Sequence, residues 1–302
     1  MLTEAWAGSV AAAARLSWDL HRDLRLVLQY PFMRNAFVAG AVAALMCGAI
    51  GWFAVLRGET YAAHTLASVA FPGASGAVYL GLAPLVGYFG FAVAGAALIA
   101  WLSPLGPGGG ERHSATVGAV QAMALALGFW FVSLYQGFLS SLSGFLFGSF
   151  LGVTRDDVMV LAITALLALG LLAIVGRPLL FASVDPRVAE AAGVPVRAVS
   201  LLYLILLGCA VAEASQFTGV LLVLALLVVP AATASALTAR PSVGLVLSVG
   251  LALVTVWAGL AAAYFTNRPV GFWVTSVGFA GYGLARGTAS VRGRWTRRVV
   301  AA

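Results

Sequence analysis

Two ionisable residues stand inside apolar runs where charge is costly, His64 and Glu213. Four residues to either side of His64 come Thr60 and Ser68, so Thr60, His64 and Ser68 form one polar stripe at helical spacing. Glu213 is followed by Gln216 one turn further on, with Ser215 and Thr218 nearby. Imidazole and carboxylate both ligate borderline divalent ions such as zinc and manganese. Each residue also has a plainer reading: His64 hydrogen-bonds a neighbouring helix, or Glu213 meets water at a turn. Arg57 and Glu59, at the end of the first apolar run, read as interfacial anchors. Glu111, Arg112 and His113 follow the Gly-rich stretch 103–110 and read as a solvated loop. Asp156 and Asp157 read as a helix start after Thr154.

One hydrophilic segment looks built for contact with another molecule. In the stretch from Ser183 to Arg197, Asp185 is a good N-cap and Pro186 is well placed at the first helical position. Gly193 ends the helix, with Pro195 beyond it. The result is about two turns of helix, too short to be stable alone in water and therefore expected to dock on something. Asp185, Pro186, Arg187, Glu190, Ala191 and Gly193 are its candidate contact and shaping residues.

The elements that carry these residues are membrane helices. Of 302 residues 62% are hydrophobic and 9% charged, with 17 basic and 10 acidic side chains. A soluble domain carries about 25% charge, so a soluble globule and a disordered chain are both excluded. Spans of roughly 20 apolar residues are expected at Ala36–Leu56, Thr60–Leu82, Pro84–Trp101, Ala115–Leu134, Val158–Val175, Ser200–Glu213, Phe217–Thr238, Ser242–Tyr264 and Val270–Ala285. Gln136–Val153 is a re-entrant piece or one more span. The fold class is thus an all-α integral membrane protein, a polytopic bundle of about 8–10 transmembrane helices. A segment 1–35, amphipathic over Val10–Tyr30 and suited to a membrane interface, precedes a membrane domain 36–285 that contains the loop 177–198. Its first run includes Glu4 and lacks a basic n-region, so a cleavable signal peptide is not expected.

Arg286, Arg292, Arg294, Arg297 and Arg298 load the tail 286–302 and orient it to the cytoplasm. Alternating backwards puts Arg240 and the central loop on the same side. The basic character is therefore a topology signal, and no nucleic-acid partner is expected. Cys47 and Cys209 lie in apolar runs far apart, which argues against a disulfide framework. Gly144, Gly148 and Gly152 form a small-residue stripe that favours close helix packing. The chain contains no GxxxxGK[ST] phosphate loop, so it is not expected to hydrolyse ATP by that mechanism, and it has neither a GxSxG nor an HExxH motif.

These segments carry a resemblance. The stretch Val184–Val196, followed by the run from Gly219 to Ala234, is similar to the permease subunits of zinc/manganese-type ABC importers. Tyr30–Ala36, the Leu56-Arg57 end of the first span, Leu146–Ser149 and Val153–Asp157 agree. Ala63-His-Thr-Leu-Ala-Ser-Val-Ala-Phe-Pro-Gly73 resembles the family motif GDALSHAVLPG, and the likeness extends from about Tyr30 to Ala285. Aligned on Pro72, His64 takes the position of the motif's acid and Ser68 that of its histidine. The resemblance implies a type II importer-like fold whose cytoplasmic coupling helix is received by a separate ATPase subunit carrying the ATP. It implies Zn2+ or Mn2+ as cargo, no resident cofactor, a second copy of the chain, and an extracytoplasmic solute-binding protein. The setting is a bacterial cytoplasmic membrane. His64 would line the pathway, with Ser68, Thr60, Glu213 and Gln216 as further candidates. A metal chelate or other small solute, or a non-transport scaffold or enzyme that recruits a soluble partner through 184–196, are the alternatives.

Overall fold

The computed structural model describes residues 29–102, 110–134, 153–219, 223–266 and 268–300, with side chains for all of these except 110–112, 216–218 and 289–300. Residues 1–28, the Gly144, Gly148 and Gly152 stripe, Leu146–Ser149 and most of Gln136–Val153 lie outside the described residues.

Among the described residues there are helices and no strands. They are α1 (Pro31–Arg57), α2 (Thr60–Tyr79), α3 (Pro84–Leu102), α4 (Gly110–Leu134), α5 (Arg155–Val184), α6 (Pro186–Ala191), α7 (Val196–Thr218), α8 (Val223–Leu227), α9 (Val229–Leu237), α10 (Pro241–Thr266) and α11 (Val270–Val300). In an apolar solvent a helix satisfies its own backbone polar groups, which is why runs of this composition become helices. Six, namely α1, α3, α4, α5, α7 and α10, are long and apolar enough to cross a bilayer. The remaining expected spans differ for compositional reasons. Thr, Ser, Gly and His dilute α2. The Phe217–Thr238 run divides into the end of α7 and two short helices that meet at Val228, just before Pro230.

Side-chain contacts fix the directions. α1 is antiparallel to α7, with Tyr203 donating to the Ile50 carbonyl at 3.2 Å and Cys47 to that of Ala210 at 3.6 Å. It is also antiparallel to α10, where Ser248 donates to the Gly48 carbonyl at 2.7 Å and Gly244 faces the Trp52 ring. α5 runs parallel to α1: Asn35 bonds the Val153 carbonyl at one end, and Arg57 bonds Ser183 at the other. α2 lies between α3 and α4, antiparallel to the first, where Gly73 meets Gly87, and parallel to the second, where Gly128 meets Phe71. α4 therefore ends, and α5 begins, at the same end of the bundle. The buried core is rich in alanine and small residues, with Ala36, Ala39, Ala43 and Ala44 all fully enclosed on α1. That composition suits membrane helices held by close backbone approach. Large apolar side chains such as Met159, Ile163, Leu166, Leu167 and Ile174 point outward from α5.

Candidate functional site

The polar stripe on α2 exists, and it is wider than the sequence spacing indicates. Thr60 opens the helix and is half-buried, as is His64, while Ser68 is buried. Ser68 Oγ donates to the His64 carbonyl at 3.2 Å and accepts from Gln121 Nε2 at 3.4 Å. Thr65 Oγ1 donates to Gln121 Oε1 at 3.2 Å. Gln121, on α4, thus clamps two turns of α2 from across the helix pair. The His64 Nδ1 atom is buried without a hydrogen-bond partner. Pro72 lies within α2 and has no N–H, so the Ser68 carbonyl loses its helical donor and becomes a further oxygen at this spot. An imidazole nitrogen and neutral oxygens are donor types that ligate divalent cations.

Thr65 and Gln121 were not among the expected site residues. Gln121 left a signal, being the only amide in the run Ala115–Leu134.

Glu213 does not join this patch. It lies on the stripe of α7 that contains Tyr203 and Ala210 and faces α1. It is 0% exposed, and neither carboxylate oxygen has a hydrogen-bond partner. Arg57 links the starts of α2 and α7. From that level His64 is about 7 Å along α2, whereas Glu213 is about 20 Å along the parallel α7. Gln216 is a backbone position near the end of α7, its side chain outside the described residues. Among the described residues no three His, Cys, Asp or Glu side chains group closely enough to hold a metal ion.

The short helix is where the local code puts it. Asp185 Oδ1 accepts from the N–H groups of Arg187 and Val188, each at 3.1 Å, and Pro186 occupies the first turn. Gly193 takes φ 84°, a left-handed conformation that favours glycine. Of α6 only Ala189 is buried, packing with Ala182 and Val196, while Arg187, Val188, Glu190, Ala191 and Gly193 are exposed.

Arg57 and Glu59, read from the sequence as interfacial anchors, have specific partners at this end of the bundle. Their side chains are 10% and 12% exposed and are paired at 3.0 Å, partly buried between the flanks of α6. The reason is tertiary: the first residues of α7 and the last of α5 close over them. Thr154 and Asp157 do cap α5 reciprocally, as the helix-start reading required.

A helical bundle of this build, with a partly buried polar patch on a proline-containing helix and a short exposed helix between two long ones, is that of a polytopic membrane protein. The chain belongs to the ABC 3 transport family, whose model matches residues 29–280. Its relatives include the manganese transport system membrane protein MntC of Halalkalibacterium halodurans, 30% identical over 78% of this chain and 79% of that one. Another is the probable metal transport system membrane protein of Treponema pallidum, 30% identical over 82% of this chain and 91% of that one. Among solved structures, PsaBC from Streptococcus pneumoniae in complex with Fab shares the fold at a TM-score of 0.78 and 24% identity, over 88% of this chain and 95% of that one. The expected type II importer-like helical fold, multi-pass membrane location and role as a transporter subunit therefore stand.

Proposed function

We propose that this chain is the permease of an ABC importer that carries a divalent transition metal ion, manganese ahead of zinc. The observation that carries the reading is α6, a capped helix of six residues (Pro186–Ala191), of which Arg187, Val188, Glu190 and Ala191 are exposed at the basic end of the bundle. A helix so short needs a surface to rest on, and a groove on a separate ATPase subunit is the natural receiver. Arg187, Val188 and Glu190 would fill it. ATP-driven closure of two such subunits would move the docking helices of two permease copies and switch the pathway between outward and inward access. A solute-binding protein would deliver the ion on the opposite face.

The relatives named for manganese or metal transport support the cargo class. Donor chemistry supports manganese within it, because neutral oxygens beside a single imidazole suit a harder ion. His64 would meet the ion as it sheds water, with Ser68, Thr65, Gln121 and Thr60 around it. Glu213 and Gln216, further from the cytoplasmic end than His64, would meet the ion nearer its outer entry.

The test is uptake by proteoliposomes that contain the permease with its ATPase and binding protein, supplied with Mn2+, Zn2+ or a metal chelate. ATP-dependent manganese uptake, competed by zinc only at excess, is the expected result. Uptake of a chelate but of neither free ion would overturn the cargo assignment. No ATPase binding at α6 would overturn the importer reading.

A further inference from the structure

Arg57 ends α1, and Gly58, at φ 70°, turns the chain straight into Glu59, the N-cap residue of α2. The guanidinium reaches three elements at once. Its Nε donates to Glu59 Oε1 at 3.0 Å, Nη1 to Ser183 Oγ at 3.4 Å and Nη2 to Ser200 Oγ at 2.8 Å. Its plane also lies against Tyr203 of α7, 5.1 Å from the ring centroid. Ser183 is two residues before Asp185, and Ser200 is the fifth residue of α7. The two serines therefore stand on either side of α6, which is itself held to those flanks through Ala182, Ala189 and Val196.

We propose that Arg57 is a positioning residue that ties the docking helix α6 to the start of α2, so that displacement of α6 is passed to the His64–Ser68 stretch. The proposal rests on the permease reading above. The path is short and stiff: α6 moves the ends of α5 and α7, their serines move the guanidinium, and Glu59 moves with it. Five positions beyond Glu59, within α2, is His64. An arginine suits the task because its planar fork presents several donors in fixed directions, where a lysine presents one point charge. A second arrangement is also available. Glu59 Oε2 is buried without a hydrogen-bond partner, so when the serines withdraw the guanidinium can engage Glu59 through both oxygens. Two discrete arrangements of one partly buried pair are what a mechanical switch requires.

The experiment uses the complete complex in proteoliposomes, with Mn2+ as the probe, and measures ATP hydrolysis and ion uptake together. The variants are Ser183→Ala with Ser200→Ala, which leave the Arg57–Glu59 pair intact, and Arg57→Lys, which keeps the charge and loses the fork. The expected result is normal assembly and near-normal hydrolysis with about tenfold less manganese carried per ATP in the serine pair. Arg57→Lys should fall between that pair and the unsubstituted protein. An unchanged ion-to-ATP ratio in both variants, beside an active unsubstituted complex, overturns the tie alone. A proportional fall of hydrolysis and uptake also overturns it, in favour of a purely structural role. Failure of the unsubstituted complex to take up manganese with ATP would remove the permease reading and the tie together.

Discussion

At the scale of single residues, the polar patch on α2 makes the sharpest claims. His64→Ala removes the one ionisable donor there and should lower manganese uptake by about tenfold or more, the effect of one lost contact of about 1.4 kcal/mol. Assembly with the ATPase should be unaffected. Radiotracer uptake in proteoliposomes checks this, and wild-type rates with both manganese and zinc would end the role of His64. Packing makes a separate claim. A Cβ added at Gly73 would strike the Gly87 carbonyl and come within 2.6 Å of the Phe91 side chain, whereas at Gly90 it meets nothing within 4 Å. Gly73→Ala should therefore cost about 1–3 kcal/mol through overpacking, with Gly90→Ala close to neutral. Thermal unfolding of the two purified variants in detergent separates them.

Among the elements, α6 is the one whose stability depends most on its cap. Asp185 satisfies two orphan N–H groups at once. Asp185→Ala should cost about 1 kcal/mol of helix stability, which corresponds to about a fivefold weaker hold on the ATPase if folding and docking are coupled. Titration of the ATPase onto immobilised permease measures it. Gly193→Ala should act similarly, because its left-handed backbone disfavours a side chain by roughly 1–2 kcal/mol. An affinity unchanged by both substitutions would mean that α6 is not the docking element. The local code made this helix readable in advance: Asp, Pro and Gly at their positions dictate it without help from the rest of the chain.

Across the whole molecule, orientation is the property to test. Helix directions from the contacts place α6, the α1–α2 turn and the start of α10 at one end, with the α2–α3 turn near Gly81 and the start of α5 at the other. The arginine-loaded tail assigns the first end to the cytoplasm. In a background with Cys47 and Cys209 replaced by alanine, a cysteine at Arg187 should react with impermeant maleimide only in inverted vesicles. One at Leu82, exposed at the far end, should react only in right-side-out ones. The opposite pattern would invert the topology. The outward apolar face of α5 belongs to the same scale. An arginine at Leu167 would place charge against lipid at a cost of about 2.5–3.5 kcal/mol, and should lower the membrane-inserted yield on quantitative blotting of membrane fractions.

What the sequence determined by itself is set by local and periodic chemistry. Apolar runs become membrane helices because no other backbone is satisfied in lipid, and caps and glycines define α6. His64 and Ser68 fall on one face because a helix repeats every 3.6 residues. Tertiary structure alone decided which polar groups meet. Gln121 is 53 residues from Ser68, and Ser200 is 143 from Arg57, and no periodicity connects such positions. For the same reason the sequence does not show that Arg57 and Glu59 pair with each other and with the serines that flank the docking helix, while Glu213 lies against α1, well away from His64. Burial and partnership depend on which helices come together, and that is decided by packing over the whole bundle.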